Sequence, residues 1–194
     1  MPIFEYGQKE VEHLKKRDKK LGKAIDDLGF IEREVNDDIF TSLVSSIISQ
    51  QISSKAAVTI FNRLTTLAGN ITQNSIQSLD INLIQKCGMS LRKAGYIKSA
   101  AEADIDFDIL PQLSDEDVIS RLTALPGIGV WTAEMLLLFS LKRYDILSYS
   151  DLAIRRGIMN LYGIEKVTKA DFEKYRKKYS PYGSVASLYL WELS

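Results

Sequence analysis

Leu125-Pro126-Gly127-Ile128-Gly129-Val130-Trp131-Thr132-Ala133 stands between two helical patterns, and the chain must reverse direction across it. Pro126 ends the first pattern because it cannot continue the hydrogen-bond ladder. Gly127 and Gly129 permit backbone angles that other residues resist, so a tight reversal is accessible. Ile128 can anchor the turn in the core. The amides that open the second helix then point outward, where they favour an anion such as phosphate. The two glycines also let another backbone come close. A plain helix–loop–helix corner with a glycine cap satisfies Pro-Gly-x-Gly equally well, so those four residues alone do not separate a structural turn from a binding one.

On either side of this turn the apolar periodicity is helical almost throughout. Val11, Leu14, Leu21, Ile25 and Leu28 predict one amphipathic helix. Asn36 and Asp37 offer caps for a second, with Phe40, Leu43, Val44, Ile47 and Ile48 on one face. Ser53 or Ser54 caps a third, carrying Ala57, Ile60, Phe61, Leu64 and Leu67 and stopped by Gly69. Short helices fit 75–78 and 81–86, and a longer one runs from Leu91 to Ala103. Between Asp104 and Pro111, Ile105, Phe107 and Ile109 alternate with aspartates; a lone strand has nothing to pair with, so this reads as an extended connector. Ser114 with Asp117 forms a capping-box variant. Helices come next at 115–124, 130–142, 151–161, 169–178 and 183–193. The expected fold class is all-α.

Composition narrows the function classes. The 194 residues are 45% hydrophobic and 26% charged, ordinary values for a chain that builds a core. The formal net charge is zero, so any nucleic-acid contact must come from a local patch or from backbone groups. Lys9 to Lys23 carries seven basic and three acidic residues, which reads most simply as a solvated helix face. The one cysteine, Cys87, excludes an internal disulfide and a four-cysteine metal or iron–sulfur site; it reads as a buried small hydrophobe. The one histidine, His13, reads as a surface residue of the first helix. The charged opening twenty residues do not resemble a signal peptide, and the longest apolar run, Met135 to Phe139, is far too short to span a bilayer. A reduced intracellular compartment is expected.

Eighteen residues beyond Ala133, Asp151 opens a helix within Ser148-Tyr149-Ser150-Asp151-Leu152-Ala153-Ile154-Arg155-Arg156-Gly157. An aspartate there is most simply an N-cap. The positive end of the helix dipole favours an anion at the same place.

The nine-residue turn, the downstream Asp-Leu-x-Ile-x-Arg-Gly string, Gly88 to Ile97, and Pro181-Tyr182-Gly183-Ser184-Val185-Ala186-Ser187-Leu188-Tyr189-Leu190-Trp191 together resemble the helix-hairpin-helix DNA glycosylase superfamily. Within it, the match is to the DNA-3-methyladenine glycosylase II branch. The resemblance runs from about residue 10 to 194. It implies two helical lobes flanking a cleft, one about 36–130 with the hairpin and the other about 1–35 plus 131–194, without the N-terminal sheet domain of some relatives. It implies a monomeric, monofunctional enzyme that hydrolyses the N-glycosidic bond of alkylated bases in duplex DNA, in the cytoplasm and nucleoid or in a nucleus.

The same resemblance assigns residues. Asp151 is the catalytic carboxylate, because bond cleavage builds positive charge on the sugar and a fixed anion stabilises it. Trp131, Trp191 and Tyr149 line the base pocket, where aromatic faces suit cationic alkylated bases. Trp131 occupies the place of the lysine nucleophile in the strand-nicking branch, so no lyase activity is expected. Gln51, within Ile47-Ile48-Ser49-Gln50-Gln51-Ile52-Ser53-Ser54, fills the gap left by the flipped base. Ser53, Gly127, Ile128, Gly129 and Thr132 contact DNA. No organic cofactor and no iron–sulfur cluster is implied; relatives often hold a monovalent cation on hairpin carbonyls, here Leu125 and Ile128. Arg92 and Lys93 are phosphate-facing or structural. Gly183 departs from the arginine usual at its position. A glycosylase for uracil or hypoxanthine, and a helix-hairpin-helix module without turnover, remain alternatives.

Overall fold

Asp18 interrupts what the apolar periodicity reads as one helix. In the computed structural model, which describes residues 2–194, α1 (Gln8–Arg17) and α2 (Lys19–Leu28) are separate. Asp18 takes an extended backbone, and its carboxylate accepts the Lys20 and Leu21 amides at 3.0 and 3.1 Å, capping α2. The remaining helices are α3 (Ile39–Ser49), α4 (Ser54–Ala68), α5 (Gln73–Ser78), α6 (Ile81–Lys86), α7 (Leu91–Glu102), α8 (Asp115–Thr123), α9 (Val130–Phe139), α10 (Leu152–Tyr162), α11 (Lys169–Tyr179) and α12 (Gly183–Glu192). Among the described residues the only β-pairing is an isolated bridge between Ile3 and Glu34, so the fold class is all-α. No helix among them is long and apolar enough to cross a membrane.

Three local expectations change. Asp38, rather than Asn36 or Asp37, caps α3, accepting the Thr41 amide at 2.8 Å. The connector after α7 is not extended: it turns through 107–109 into a 3-10 turn, Leu110–Gln112. That turn buries Phe107 and Leu110, with Phe107 edge-on to Phe40 at 5.3 Å, so burial of two apolar groups overrides the alternating pattern. His13 is half-buried, donating from Nε2 to the Ser180 carbonyl at 3.1 Å and meeting Tyr182 edge-on.

The chain divides into two compact units. The first, Asp37–Leu136, is one continuous segment. In it α7 packs against α3, α5 and α6, aided by buried Ala94, Ala100 and Ala101, whose small side chains allow close approach. Lys98 of α7 donates to the carbonyls of Ile76, Gln77 and Leu79, closing the end of α5. Cys87 is buried, as expected of a small hydrophobe.

The second unit combines the segment up to Asn36 with Leu137–Ser194. Its polar anchor is Asp18, 4% exposed, which receives Tyr162 of α10 and both Lys178 (2.9 Å) and Tyr179 (3.3 Å) of α11. Burial alone would raise the Asp18 pKa, but the hydrogen bonds from Tyr162, Lys178 and the Leu21 amide outweigh it and hold the carboxyl below its ordinary value. Elsewhere in this unit α10 crosses α12 at Gly157, where a Cβ would lie 2.0 Å from the Leu190 carbonyl oxygen. The basic residues of Lys9–Lys23 form a solvated face, with Lys15–Asp26 and Lys23–Asp27 pairs on it, while Leu14, Asp18 and Leu21 of the same stretch are buried.

Both anchors can be tested by stability. Gly157→Ala should destabilise the fold by about 3 kcal/mol, since backbone rather than a movable side chain is in the way. Thermal melting should show a drop of about 6–12 °C. For Asp18→Asn, the loss relative to wild type in urea melts should be about 3 kcal/mol at neutral pH. Because the folded pKa lies below the unfolded value, that difference is full above pH 4 and shrinks as the pH falls through the depressed value.

Candidate functional site

The hairpin is built by α8, the turn 124–129 and the start of α9. The Leu125 amide donates to Leu122 at 3.1 Å and the Ile128 amide to Leu125 at 3.2 Å, closing two successive turns. Ile128 is buried and anchors the turn, as expected. Gly127 has φ +81°, and a Cβ on it would lie 2.2 Å from the Tyr96 ring of α7. Its glycine is therefore required by the protein itself. Gly129 differs: no atom lies within 4 Å of where its Cβ would be. The first ladder bond of α9 runs from Ala133 to Gly129 at 3.1 Å, so the amides of Val130, Trp131 and Thr132 precede that ladder. Trp131 projects from this helix start, 44% exposed. Thr132 is buried, so its side chain is turned from solvent, while its backbone amide precedes the α9 ladder.

The loop between α3 and α4 belongs to the same unit. Gln51 is exposed and holds a left-handed φ of +57°, unusual for a residue with a side chain. Gln50 donates from Nε2 to the Gly127 carbonyl at 3.0 Å, joining this loop to the hairpin turn. Ser53 is exposed and caps α4 by accepting the Ala56 amide at 3.3 Å. Lys93 of α7 donates from Nζ to the carbonyls of Ile48, at 2.7 Å, and Gln50. Of the two readings of Lys93, contact with the protein's own backbone is the one realised. The Gln50 and Lys93 bonds span 77 and 45 residues respectively, and no local sequence signal announces either.

For a cation on the hairpin, the carbonyls are partly engaged. Gly127 meets an amide donor, and Leu125 accepts from Ile128. A carbonyl has two lone pairs, so Leu125 and Ile128 retain donor capacity for a monovalent ion. Among the described residues no group of three or more His, Cys, Asp or Glu side chains is arranged to hold a metal ion.

In the other unit, Asp151 caps α10: Oδ1 accepts the Ile154 amide at 2.9 Å, and the residue is 6% exposed. The simple capping role is thus real, and Oδ1 carries it. The chain leading to Asp151 is fastened to α12. Ile146 donates to Ser184 Oγ, and Ser187 Oγ donates to the Ile146 carbonyl, both at 2.9 Å. Asp145 accepts from the Gly183 amide at 3.0 Å and from Ser180 at 2.6 Å. The Asp145 carboxylate fills the space beside residue 183, where a Cβ would lie 2.9 Å from it, so glycine here goes with an aspartate cap on α12. Tyr149 is half-buried, edge-on to Phe172 with the Arg155 guanidinium 5.1 Å from its ring. Trp191 stacks on Phe139 at 5.6 Å and has the Arg33 guanidinium 5.9 Å from its centre. Both residues are thus tied into their own unit. The sequence reading missed Asp145, Ser184 and Ser187 as supports of the Asp151 approach.

The chain resembles known proteins in sequence and in fold. The chain is 39% identical over 165 residues to DNA-3-methyladenine glycosylase 1 of Schizosaccharomyces pombe, covering 80% of this chain and 72% of that protein. Its fold matches the crystal structure of a DNA-3-methyladenine glycosidase from Bacillus halodurans with a TM-score of 0.88 and 36% identity, over 99% of this chain and 92% of the other. It also matches the S. pombe 3-methyladenine DNA glycosylase in complex with abasic DNA, with a TM-score of 0.80 and 34% identity, over 95% and 96% of the two chains. The family profile described as HhH-GPD superfamily base excision DNA repair protein matches residues 44–181, well over half of the sequence. The hairpin, the loop before α4 and the Asp151 helix start all lie inside that span, and the chain belongs to the HhH-GPD superfamily of base excision DNA repair proteins.

Proposed function

We propose that this protein is a monofunctional DNA glycosylase that releases alkylated bases, of the 3-methyladenine and 7-methylguanine type, from duplex DNA. It acts where the cell keeps its DNA. The observation that carries this reading is Asp151, a buried carboxylate fixed at the head of α10 in a base excision repair fold. The relatives' names, DNA-3-methyladenine glycosylase and glycosidase, support alkylated bases as the substrate class.

The chemistry is hydrolysis. The bond from the base nitrogen to the sugar breaks, and its electron pair leaves with the base. An alkylated cationic base departs neutral, so it needs little further activation. The sugar gains positive charge, which Asp151 stabilises across a low-dielectric surrounding. Water forms the new bond to the sugar carbon, and its proton passes to the carboxylate or to solvent. The capping bond from Ile154 fixes the carboxylate before reaction, so its orientation costs little at the transition state. Trp131 offers an aromatic face to the base, and as it has no amine it forms no Schiff base. Trp191 and Tyr149 supply further aromatic surface. The amides ahead of the α9 ladder receive a backbone phosphate, with the bare Gly129 allowing close approach. Leu125 and Ile128 would hold a monovalent cation, which supplies positive charge next to that phosphate. Gln51 enters the stack as the base leaves it. Hydrolysis by water and a carboxylate calls for no organic cofactor.

Methylated duplex DNA should lose free methylated bases on incubation with the wild type and gain abasic sites without strand breaks. Asp151→Asn keeps an effective cap and removes only the charge, so melting should be preserved while base release slows by about a thousandfold. Release at the wild-type rate would show that another group does the chemistry.

The two glycines should separate. Gly129→Ala should cost stability about 1 kcal/mol or less and weaken binding to damaged and undamaged duplexes alike. Gly127→Ala should instead unfold easily, through strain and collision with Tyr96. A Gly129→Ala variant that changes lesion preference at unchanged affinity for plain duplex would contradict phosphate gripping.

A further inference from the structure

Two lysines of α7 do the same thing to two different helices. Lys98 closes α5 by donating to Ile76, Gln77 and Leu79. Lys93 closes α3 by donating to Ile48 and Gln50. An ammonium group suits this place, since the last carbonyls of a helix carry its negative end. The two helices differ in the segment that each one leads into. After α5 the chain passes directly to α6. After α3 it presents Gln51 in the left-handed region, a conformation that is strained for a residue with a side chain and persists only where neighbours hold it. Lys93 holds the carbonyl of the residue just before Gln51, and the Gln50 side chain is fixed at its far end to Gly127. Lys93 is itself half-buried, and a cavity of about 250 Å³ opens beside it and Gln51.

We propose that Lys93 is a positioning residue for base extrusion: by clamping the Ile48 and Gln50 carbonyls it fixes the left-handed Gln51 in the posture from which it enters the DNA stack. The inference rests on the glycosylase reading. Lys93 touches neither the base nor the phosphate and acts only through Gln51. Burial, with the Arg92 charge second, lowers its pKa, yet the two carbonyls it meets are acceptors and call for the donor-rich ammonium form.

The test is a double-mutant cycle on single-turnover base release from methylated duplex, with wild type, Lys93→Met, Gln51→Ala and the double variant. Lys93→Met should slow release about tenfold, Gln51→Ala by at least as much, and the double no more than Gln51→Ala alone. Lys98→Met is the structural control: any slowing it causes should multiply with that of Gln51→Ala. In parallel, 2-aminopurine placed opposite the lesion should brighten less on binding Lys93→Met, while affinity for undamaged duplex and its salt dependence stay as in wild type. Multiplying effects of Lys93→Met and Gln51→Ala would overturn the proposal, as would a shallower salt slope, which would make Lys93 a phosphate contact. If Lys93→Met does not fold, Lys93→Arg, which keeps the donors but displaces them, enters the same cycle under the same criteria. A wild type that releases no base sinks the glycosylase reading. A wild type that does, with Lys93→Met equally fast, sinks this inference alone.

Discussion

Gly157 lets two backbones meet where side chains would normally hold them apart. A Cβ would sit 2.0 Å from the Leu190 carbonyl oxygen, so α10 and α12 can cross at this distance only with glycine. The head of α10 carries Asp151, and the head of α12 carries Gly183, Ser184 and Ser187, which bind the chain on its way to Asp151. A small widening at the crossing would therefore loosen the carboxylate from both sides. Electrostatic stabilisation depends on a fixed charge, and here the fixing is done by packing and neutral hydrogen bonds. Glycine at position 183 fits this scheme, since the Asp145 carboxylate occupies the space beside it and accepts the first α12 amide.

The other unit solves a different problem. Its proposed contacts are backbone groups and one exposed side chain, which have to be held by residues that stay out of the way. Lys93, Gln50 and Tyr96 do this from helix and loop positions remote in sequence. The two hairpin glycines show the same division. One is demanded by the fold, since Tyr96 fills the space beside it; the other has open space where its Cβ would be, which fits the proposed approach of a phosphate. A zero net charge is compatible with this design, because helix-end amides need no lysine field to attract a phosphate.

Much of this was legible beforehand for a physical reason. Helices write their period into the sequence, and glycine, proline and capping residues write their ends, so most elements emerge within a few residues. The break at Asp18 was not legible because Leu14, Leu21 and Ile25 keep the helical period across it. The signal that was there is an aspartate four residues after Leu14, on the apolar stripe itself, where a charge has to be paired. The Asp104–Pro111 stretch misled because alternation without a partner strand is decided by tertiary burial, here of Phe107 and Leu110. Site residues with local chemistry, such as Asp151 at a helix head, could be named from the string. Thr132 could not be oriented from it, and the Lys93 and Gln50 bonds join segments that only folding brings together.

Asp18 meets Lys178 across 160 residues, and the unit they hold together is interrupted by the whole of Asp37–Leu136. This has a consequence during translation. The continuous unit leaves the ribosome complete and can fold at once. Helices α1 and α2 emerge earlier still, yet must wait for α11, with Asp18 lacking Tyr162, Lys178 and Tyr179 and the apolar faces of both helices uncovered. The newborn chain thus acquires its hairpin before it acquires the support of its carboxylate, and two helices made early are among the last to be secured.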